Sequence, residues 1–267
     1  MITVGMILST RRSGSTWLNC VLGSHEPVAN LGEYFRPFAD RTHVACRLCE
    51  ADGLSACRVL FGIESVPEED AFTFASERTG KSIIVECSKL LHWPLQFVKQ
   101  EHLDVRFIQL VRNPCGYVES ELRRRPGVTA GELVAEWSEQ NAHIETFCAN
   151  VGRPHVLVSY EQLADEPLRA FPPLCEFLGF SFEPAALQYW KVEHHGLGGN
   201  GACSLYLRGR KLARFNTGDD AYYASLHDRP AASDGRWRER LDAVTQRNAL
   251  ASPYARSMAE RLHVQWA

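Results

Sequence analysis

Four short runs of Val, Ile, Leu and Phe, each followed by a longer stretch of helical periodicity, constrain the fold of this chain more than any other feature. They are Ile2 to Leu8, Ser82 to Cys87, Val105 to Val111 and His155 to Ser159. Continuous apolar runs of this length suit strands buried on both faces, as where crossover helices cover a parallel sheet. The intervening patterns predict helices at about Thr16 to Leu22, Leu91 to Lys99, Gly116 to Arg123, Ala130 to Ala149 and Leu168 to Leu178. The expected fold is therefore α/β, a three-layer α/β/α arrangement with a central, mainly parallel sheet. Two irregular stretches, about 33–76 and 194–233, lack linker composition and read as insertions on a single domain spanning 1–267.

With 267 residues and 45% hydrophobic content, the chain can bury a full core. Its 29 Lys and Arg against 32 Asp and Glu leave a net charge of −3, which provides no global field for gripping a polyanion, so nucleic acid is not an expected partner. The nine cysteines are an odd number in a chain too long to need disulfide staples; they read as reduced thiols, and a cytoplasmic location is expected. No apolar run approaches the roughly 18 to 20 residues of a membrane span, since even Val4 to Leu8 is cut off by the polar Ser9 to Ser13. A basic region, apolar region and cleavage site are also missing from the N-terminal residues. Oligomeric state is not legible.

The segment Ser9-Thr10-Arg11-Arg12-Ser13-Gly14-Ser15-Thr16-Trp17-Leu18 lies directly after the first strand and before an apolar helical run. A loop entering a helix N-terminus offers free backbone N–H groups and the positive end of the helix dipole, and Gly14 permits close approach. An anionic, phosphate-like group fits there, with Arg12 as the cation. No GxxxxGK[ST] exists, which argues against a Mg²⁺-dependent nucleoside triphosphatase. A second signal is Phe107-Ile108-Gln109-Leu110-Val111-Arg112-Asn113-Pro114, a buried strand ending in a cation, with Ser120 eight residues after Arg112. Ligands of α/β sheets sit beyond the carboxyl ends of the strands, where Arg112 would emerge. Taken alone, each has a plain structural reading: a capped Ser-rich turn, and an Arg paired with Glu119 or Glu121.

Together these motifs resemble the sulfotransferases that use 3′-phosphoadenosine-5′-phosphosulfate (PAPS), whose P-loop-like first loop reads basic-Ser-Gly-Thr/Ser-Thr-Trp. The resemblance implies that Arg12, Ser13, Gly14, Ser15 and Thr16 hold the 5′-phosphosulfate, that Trp17 stacks on adenine, and that Arg112 and Ser120 bind the 3′-phosphate. Val158-Ser159-Tyr160-Glu161-Gln162-Leu163 is similar to the family's Tyr-Glu-Asp-Leu segment, which puts Tyr160 beside the adenine. An Arg-Lys-Gly turn closes over the 3′-phosphate in cytosolic members; Arg208-Gly209-Arg210-Lys211 has those residue types in another order, making Arg208 and Arg210 candidates beside the alternative of a solvated basic face. The later Asp234-Gly235-Arg236-Trp237-Arg238 is similar to the ending of bacterial members.

The implied reaction is in-line sulfuryl transfer to a hydroxyl or amine of a carbohydrate or small molecule, with PAP as the product. It requires charge neutralisation at the leaving phosphate, for which Arg12 and Lys89 are the candidates, and a base for the acceptor proton. Glu33, in Asn30-Leu31-Gly32-Glu33-Tyr34-Phe35-Arg36, resembles the glutamate of carbohydrate-acting bacterial members. His92, in Cys87-Ser88-Lys89-Leu90-Leu91-His92-Trp93-Pro94, resembles the histidine of cytosolic members, although one extra residue separates it from Lys89. Glu33 is preferred because its surroundings fit without an insertion. A P-loop-type kinase and a non-catalytic nucleotide-binding module are the rival readings. Separately, His43, Cys46, Cys49 and Cys57 form an HxxCxxC…C pattern whose spacing suits a structural Zn²⁺, the alternative being reduced loop thiols.

Overall fold

Apolar side chains that alternate in direction along the first strand decide the layering. In the computed structural model, which describes residues 1–40, 45–200, 203, 206–207, 210–211 and 232–266, the strands are β1 (Ile2–Ser9), β2 (Val28–Gly32), β3 (Ile83–Glu86), β4 (Leu103–Val111) and β5 (His155–Ser159). They pair in parallel in the order β2-β3-β1-β4-β5. Parallel neighbours require long crossovers. Helix α1 (Ser15–Leu22) joins β1 to β2, and α2 (Arg36–Asp40), α3 (Arg47–Ala51) and α4 (Ala71–Thr79) lie between β2 and β3. Helices α5 (Pro114–Leu122) and α6 (Ala130–Val151) connect β4 to β5, after which come α7 (Tyr160–Asp165) and α8 (Pro167–Leu178).

Along β1, Val4, Met6 and Leu8 pack in one cluster with Phe72 and Ala75 of α4 and Ile144 and Cys148 of α6. Ile7 packs instead with Leu18 and Val21 of α1 and with Leu174 and Leu178 of α8. Both faces of the sheet are thus covered by helices, which is the expected three-layer α/β fold. A third cluster joins Val111 at the end of β4 to Trp137 of α6 and to the C-terminal helices Trp237–Arg240, Ala243–Ala251 and Pro253–Leu262.

Local chemistry accounts for the helix starts. The Asn113 side chain accepts from the Cys115 N–H at 2.8 Å, with Pro114 at the first helical position of α5, where a missing N–H costs nothing. Thr129 and Glu132 form a reciprocal capping box at the start of α6.

Three expectations need correction. Strand β2 was not foreseen, because Ala29, Asn30 and Gly32 carry little strand preference; it is held by its pairing with β3 and the burial of Val28 and Leu31. The helix expected over Leu91 to Lys99 is only a 3₁₀ turn, Trp93–Gln96. Its apolar spacing reflects Trp93 and Phe97 packing against each other and against Phe72, not a longer helix. The irregular stretch 33–76 contains α2, α3 and the start of α4. Much of 194–233 lies outside the described residues.

Phe107 anchors β4, with no exposed surface and its ring centroid 5.4 Å from that of Phe147. Truncation to alanine removes most of this contact and leaves a cavity, so Phe107→Ala is expected to cost about 3–5 kcal/mol. Urea unfolding followed by circular dichroism checks this, as a lower midpoint at unchanged slope.

Candidate active site

A cavity of about 760 Å³ opens at the carboxyl edge of the sheet, lined by Arg12, Gly14, Thr16, Glu33, Lys89, Arg112, Ser120 and Tyr160 among others. Its first wall is the turn after β1. The Thr10 and Ser13 hydroxyls hydrogen-bond at 2.6 Å, and Arg12 takes a left-handed conformation (φ 61°), which costs a non-glycine residue on the order of 1 kcal/mol. Gly14 (φ 87°) precedes α1 with no side chain capping the helix, so the first-turn N–H groups have no side-chain cap where Gly14, Ser15, Thr16 and Trp17 line the cavity. A Cβ on Gly14 would stand 2.5 Å from the Tyr160 ring, so only glycine lets that ring close under the turn. Trp17 packs edge-on to Tyr160 at 5.8 Å and to Phe171 at 5.9 Å. Thr16 Oγ1 accepts from the Asn200 N–H at 3.0 Å.

The second wall is the end of β4. Arg112 is buried, donates to the Arg12 carbonyl at 2.8 Å, and lies over the Tyr160 ring at 5.1 Å. Trp137 Nε1 donates to the Arg112 carbonyl at 3.1 Å, fixing the strand end. Asp234 stands 3.5 Å from Arg112 and accepts from Nε and Nη2 of Arg236, each at 2.8 Å. Burial pushes the Asp234 carboxyl up, but the hydrogen-bonded Arg236 and the nearby Arg112 outweigh it and hold the pKa at about 2. Ser120 Oγ accepts from Arg124 at 3.0 Å.

Among the described residues, the cavity wall carries six cations, Arg11, Arg12, Lys89, Arg112, Arg123 and Arg124, against Glu33 and Asp234. Such a concave, net-positive surface concentrates anions despite the negative charge of the whole chain. Arg123 and Arg124 were not singled out from the sequence, and Asp234 only as part of a segment similar to the ending of bacterial members. The Arg123-Arg124 pair one turn after Ser120 was the available signal; nothing local marked Asp234 as a neighbour of Arg112.

Glu33 and Lys89 meet on the cavity wall at 3.3 Å. Lys89 also donates to the Cys87 carbonyl at 2.8 Å from a left-handed backbone (φ 65°), and Glu33 Oε2 is 3.4 Å from Arg36. The Glu33 N–H donates to the Leu197 carbonyl at 2.7 Å. His92, by contrast, is exposed, off the cavity wall and edge-on to Phe35 at 5.3 Å, so it does not join Lys89 and Glu33. The bulk of Phe35 and the 3₁₀ turn that His92 precedes hold it there. Arg208 lies outside the described residues, and Arg210 is described only as backbone of a short antiparallel pair, Tyr206–Leu207 with Arg210–Lys211.

Cys46, Cys49 and Cys57 converge, and their donor atoms and that of His195 all lie within 4.8 Å of one another. His43 lies outside the described residues; His195, 138 residues beyond Cys57, supplies the imidazole seen beside the three sulfurs.

A parallel sheet whose first loop runs into a helix N-terminus, with a net cationic cavity at its carboxyl edge, is the arrangement of α/β proteins that hold anionic groups at the strand ends. The profile of the Sulfotransferase family matches residues 6–184, and the chain belongs to that family. Among solved structures it is similar to the sulfotransferase domain from the curacin biosynthetic pathway (17% identity, TM-score 0.58, covering 100% of this chain and 99% of that one). It is likewise similar to the sulfotransferase domain of the Synechococcus PCC 7002 olefin synthase (18%, 0.58, 99% and 96%) and to mouse sulfotransferase SULT7A1 complexed with PAP (12%, 0.50, 97% and 88%). At these identities the likeness is one of fold. Comparison with curated proteins finds no match. Among the described residues, no helix is long and apolar enough to cross a membrane.

Glu86, at the end of β3, is a buried carboxyl that sequence reasoning passed over. Burial raises its pKa to about 7, against the N–H of Ser88, which it accepts at 2.8 Å, and the nearby Lys89. A carboxyl with a raised folded-state pKa is at no disadvantage below its unfolded value of 4.5, and its ionisation then costs stability as pH climbs to about 7. Glu86→Gln is therefore expected to leave stability little changed at pH 4 and to raise it at pH 8, by on the order of 3 kcal/mol. Urea midpoints at the two pH values check the sign.

Proposed function

We propose that this sulfotransferase moves the sulfuryl group of PAPS to a hydroxyl or amine of a carbohydrate or small-molecule acceptor. The observation that carries the reading is one cavity in whose lining the uncapped start of α1 and Arg12 adjoin Arg112 and Ser120, with the Glu33–Lys89 pair lining the same cavity. A nucleotide bearing acidic groups at both its 5′ and 3′ positions matches two such cationic regions. The presence of PAP in the mouse relative of the same fold supports this choice of nucleotide.

In this reading Arg12, Ser13, Gly14, Ser15 and Thr16 bind the 5′ group, Arg112 and Ser120 the 3′-phosphate, and Trp17 and Tyr160 flank the adenine. PAPS supplies a sulfuryl group on a phosphate leaving oxygen. Glu33 takes the acceptor proton while the acceptor oxygen or nitrogen bonds to sulfur. Arg12, Lys89 and the α1 N–H groups neutralise the electron pair that passes to the phosphate oxygen as the old S–O bond breaks. The whole chain acts as one domain, with the stretches 33–76 and 194–233 shaping the acceptor site. Nine free thiols, eight of them buried, favour a reducing, cytoplasmic setting.

Titration with adenosine 3′,5′-bisphosphate should raise stability by about 2.7 kcal/mol at a hundredfold excess over Kd, and ATP–Mg²⁺ should raise it less. The reverse preference favours a kinase. Arg112→Ala is expected to weaken bisphosphate binding by the 1.5–3 kcal/mol typical of charged hydrogen bonds, about ten- to a hundredfold, measured by calorimetry. With labelled PAPS and a screen of acceptors, Glu33→Gln should lower kcat about 10²- to 10⁴-fold while bisphosphate affinity holds, and His92→Ala should leave turnover nearly intact. Full turnover by Glu33→Gln removes the glutamate from the base role.

A further inference from the structure

The geometry points to a structural zinc ion held by Cys46, Cys49, Cys57 and His195, which staples the insertion after β2 to the segment that returns beside Glu33. The His195 Nδ1 atom lies 3.4 Å from the sulfur of Cys46 and 3.6 Å from those of Cys49 and Cys57. Zinc bonds of roughly 2.3 Å to sulfur and 2.0 Å to nitrogen, arranged tetrahedrally, set neighbouring donors about 3.5–3.8 Å apart. The three nitrogen–sulfur distances are close to that spacing, and all four donor atoms lie within 4.8 Å of one another. Three thiols and one imidazole form a closed, soft donor set of the kind that structural zinc takes, with no position left for water or substrate.

The surroundings serve the same end. All three cysteines are buried, with at most 1% of their surface exposed. Cys46 sits at the N-terminus of α3 and Cys49 within its first turn, so the Cys-x-x-Cys spacing brings both sulfurs to one side. The Arg58 N–H donates to the Cys49 sulfur at 3.4 Å, a bond that stabilises a thiolate. On the far side of the imidazole, His195 Nε2 meets Glu193 Oε1 at 2.6 Å; this carboxylate fixes the tautomer that leaves Nδ1 as the metal donor. Binding replaces the thiol protons with the metal, releasing up to three protons to solvent, with no redox change.

The consequence reaches the active site. Two residues after His195, Leu197 bridges to Gly32 and accepts the Glu33 N–H at 2.7 Å. Gly32 (φ 66°) has no room for a Cβ, which would fall 2.3 Å from the Leu197 carbonyl. Asn200, further on, donates to Thr16 of the first loop at 3.0 Å. Zinc therefore acts as a positioning group for Glu33 and Thr16. It joins residues 46–57 to residues 193–200 where few apolar side chains are available to do so.

The test is metal analysis of the full chain purified under reducing conditions from zinc-supplemented medium. One zinc per chain is expected, and cobalt exchanged into the chelated protein should show thiolate charge-transfer and tetrahedral d–d absorption. His195→Ala should lose the metal and His43→Ala should keep it, while His195→Cys, which restores a fourth soft ligand, should regain it. Glu193→Gln should weaken zinc affinity by about ten- to a hundredfold. Should His195→Ala fail to fold, the cobalt spectrum of the unaltered chain and its retention in His43→Ala carry the test. Zinc well below one per chain with no uptake by the reduced apoprotein, iron in its place, or loss of metal in His43→Ala overturns the assignment. None of these outcomes depends on the nature of the transferred group.

Discussion

A single hydrogen bond, from the Arg112 guanidinium to the carbonyl of Arg12 at 2.8 Å, ties the loop after β1 to the end of the neighbouring strand β4. Neighbouring side chains leave Arg112 little freedom to go elsewhere. Gly116 lies so close that an added Cβ would meet its Nε at 2.7 Å, the Tyr160 ring lies beneath it, and Trp137 holds its carbonyl. A guanidinium buried this far is tolerable only with polar partners on several sides, and Asp234 supplies the charge. Helices α5 and α6, the β5–α7 junction and the segment at 234 therefore converge on one cation.

The opposite wall relies on backbone. Strand β2 ends at Gly32, where Leu197 donates to Leu31 and accepts from Glu33. Glu33 is thus presented by a strand end extended on one side by a segment far away in sequence, and Lys89 reaches it from the end of β3. Three neighbouring parallel strands, β1, β3 and β2, each deliver one charged group, Arg12, Lys89 and Glu33, to the cavity at the same edge of the sheet, as parallel pairing requires of residues that follow successive carboxyl ends. His195 of the cysteine and histidine cluster stands two residues before the Leu197 that holds Glu33, so the insertion and the glutamate are both tied to residues 193–200.

Legibility followed the range of the interactions. Strands β1 and β4 were readable because apolar residues make up most of each, including Met6-Ile7-Leu8, Phe107-Ile108 and Leu110-Val111, and α6 because its period persists over 22 residues between a capping box and Gly152. Strand β2 was not, since Val28-Ala29-Asn30-Leu31-Gly32 owes its conformation to β3. The loop from Arg12 to Trp17 could be recognised as a unit because all its chemistry is contiguous. The choice between Glu33 and His92 could be posed but rested on local fit; in the structure Glu33 lines the cavity, whereas His92 is exposed and is not in its lining.

The amino-acid order by itself determined the α/β class, the strand-loop-helix that starts it, and the three cysteines of the metal-like pattern, because each depends on neighbours within a few positions. Tertiary structure alone decided that Asp234 faces Arg112, that Glu33 and Lys89 pair, and that His195 stands beside Cys46, Cys49 and Cys57. Those partners are separated by 56 to 149 residues. Only the packing of crossover helices on both faces of the sheet sets their distances, and no local periodicity encodes them.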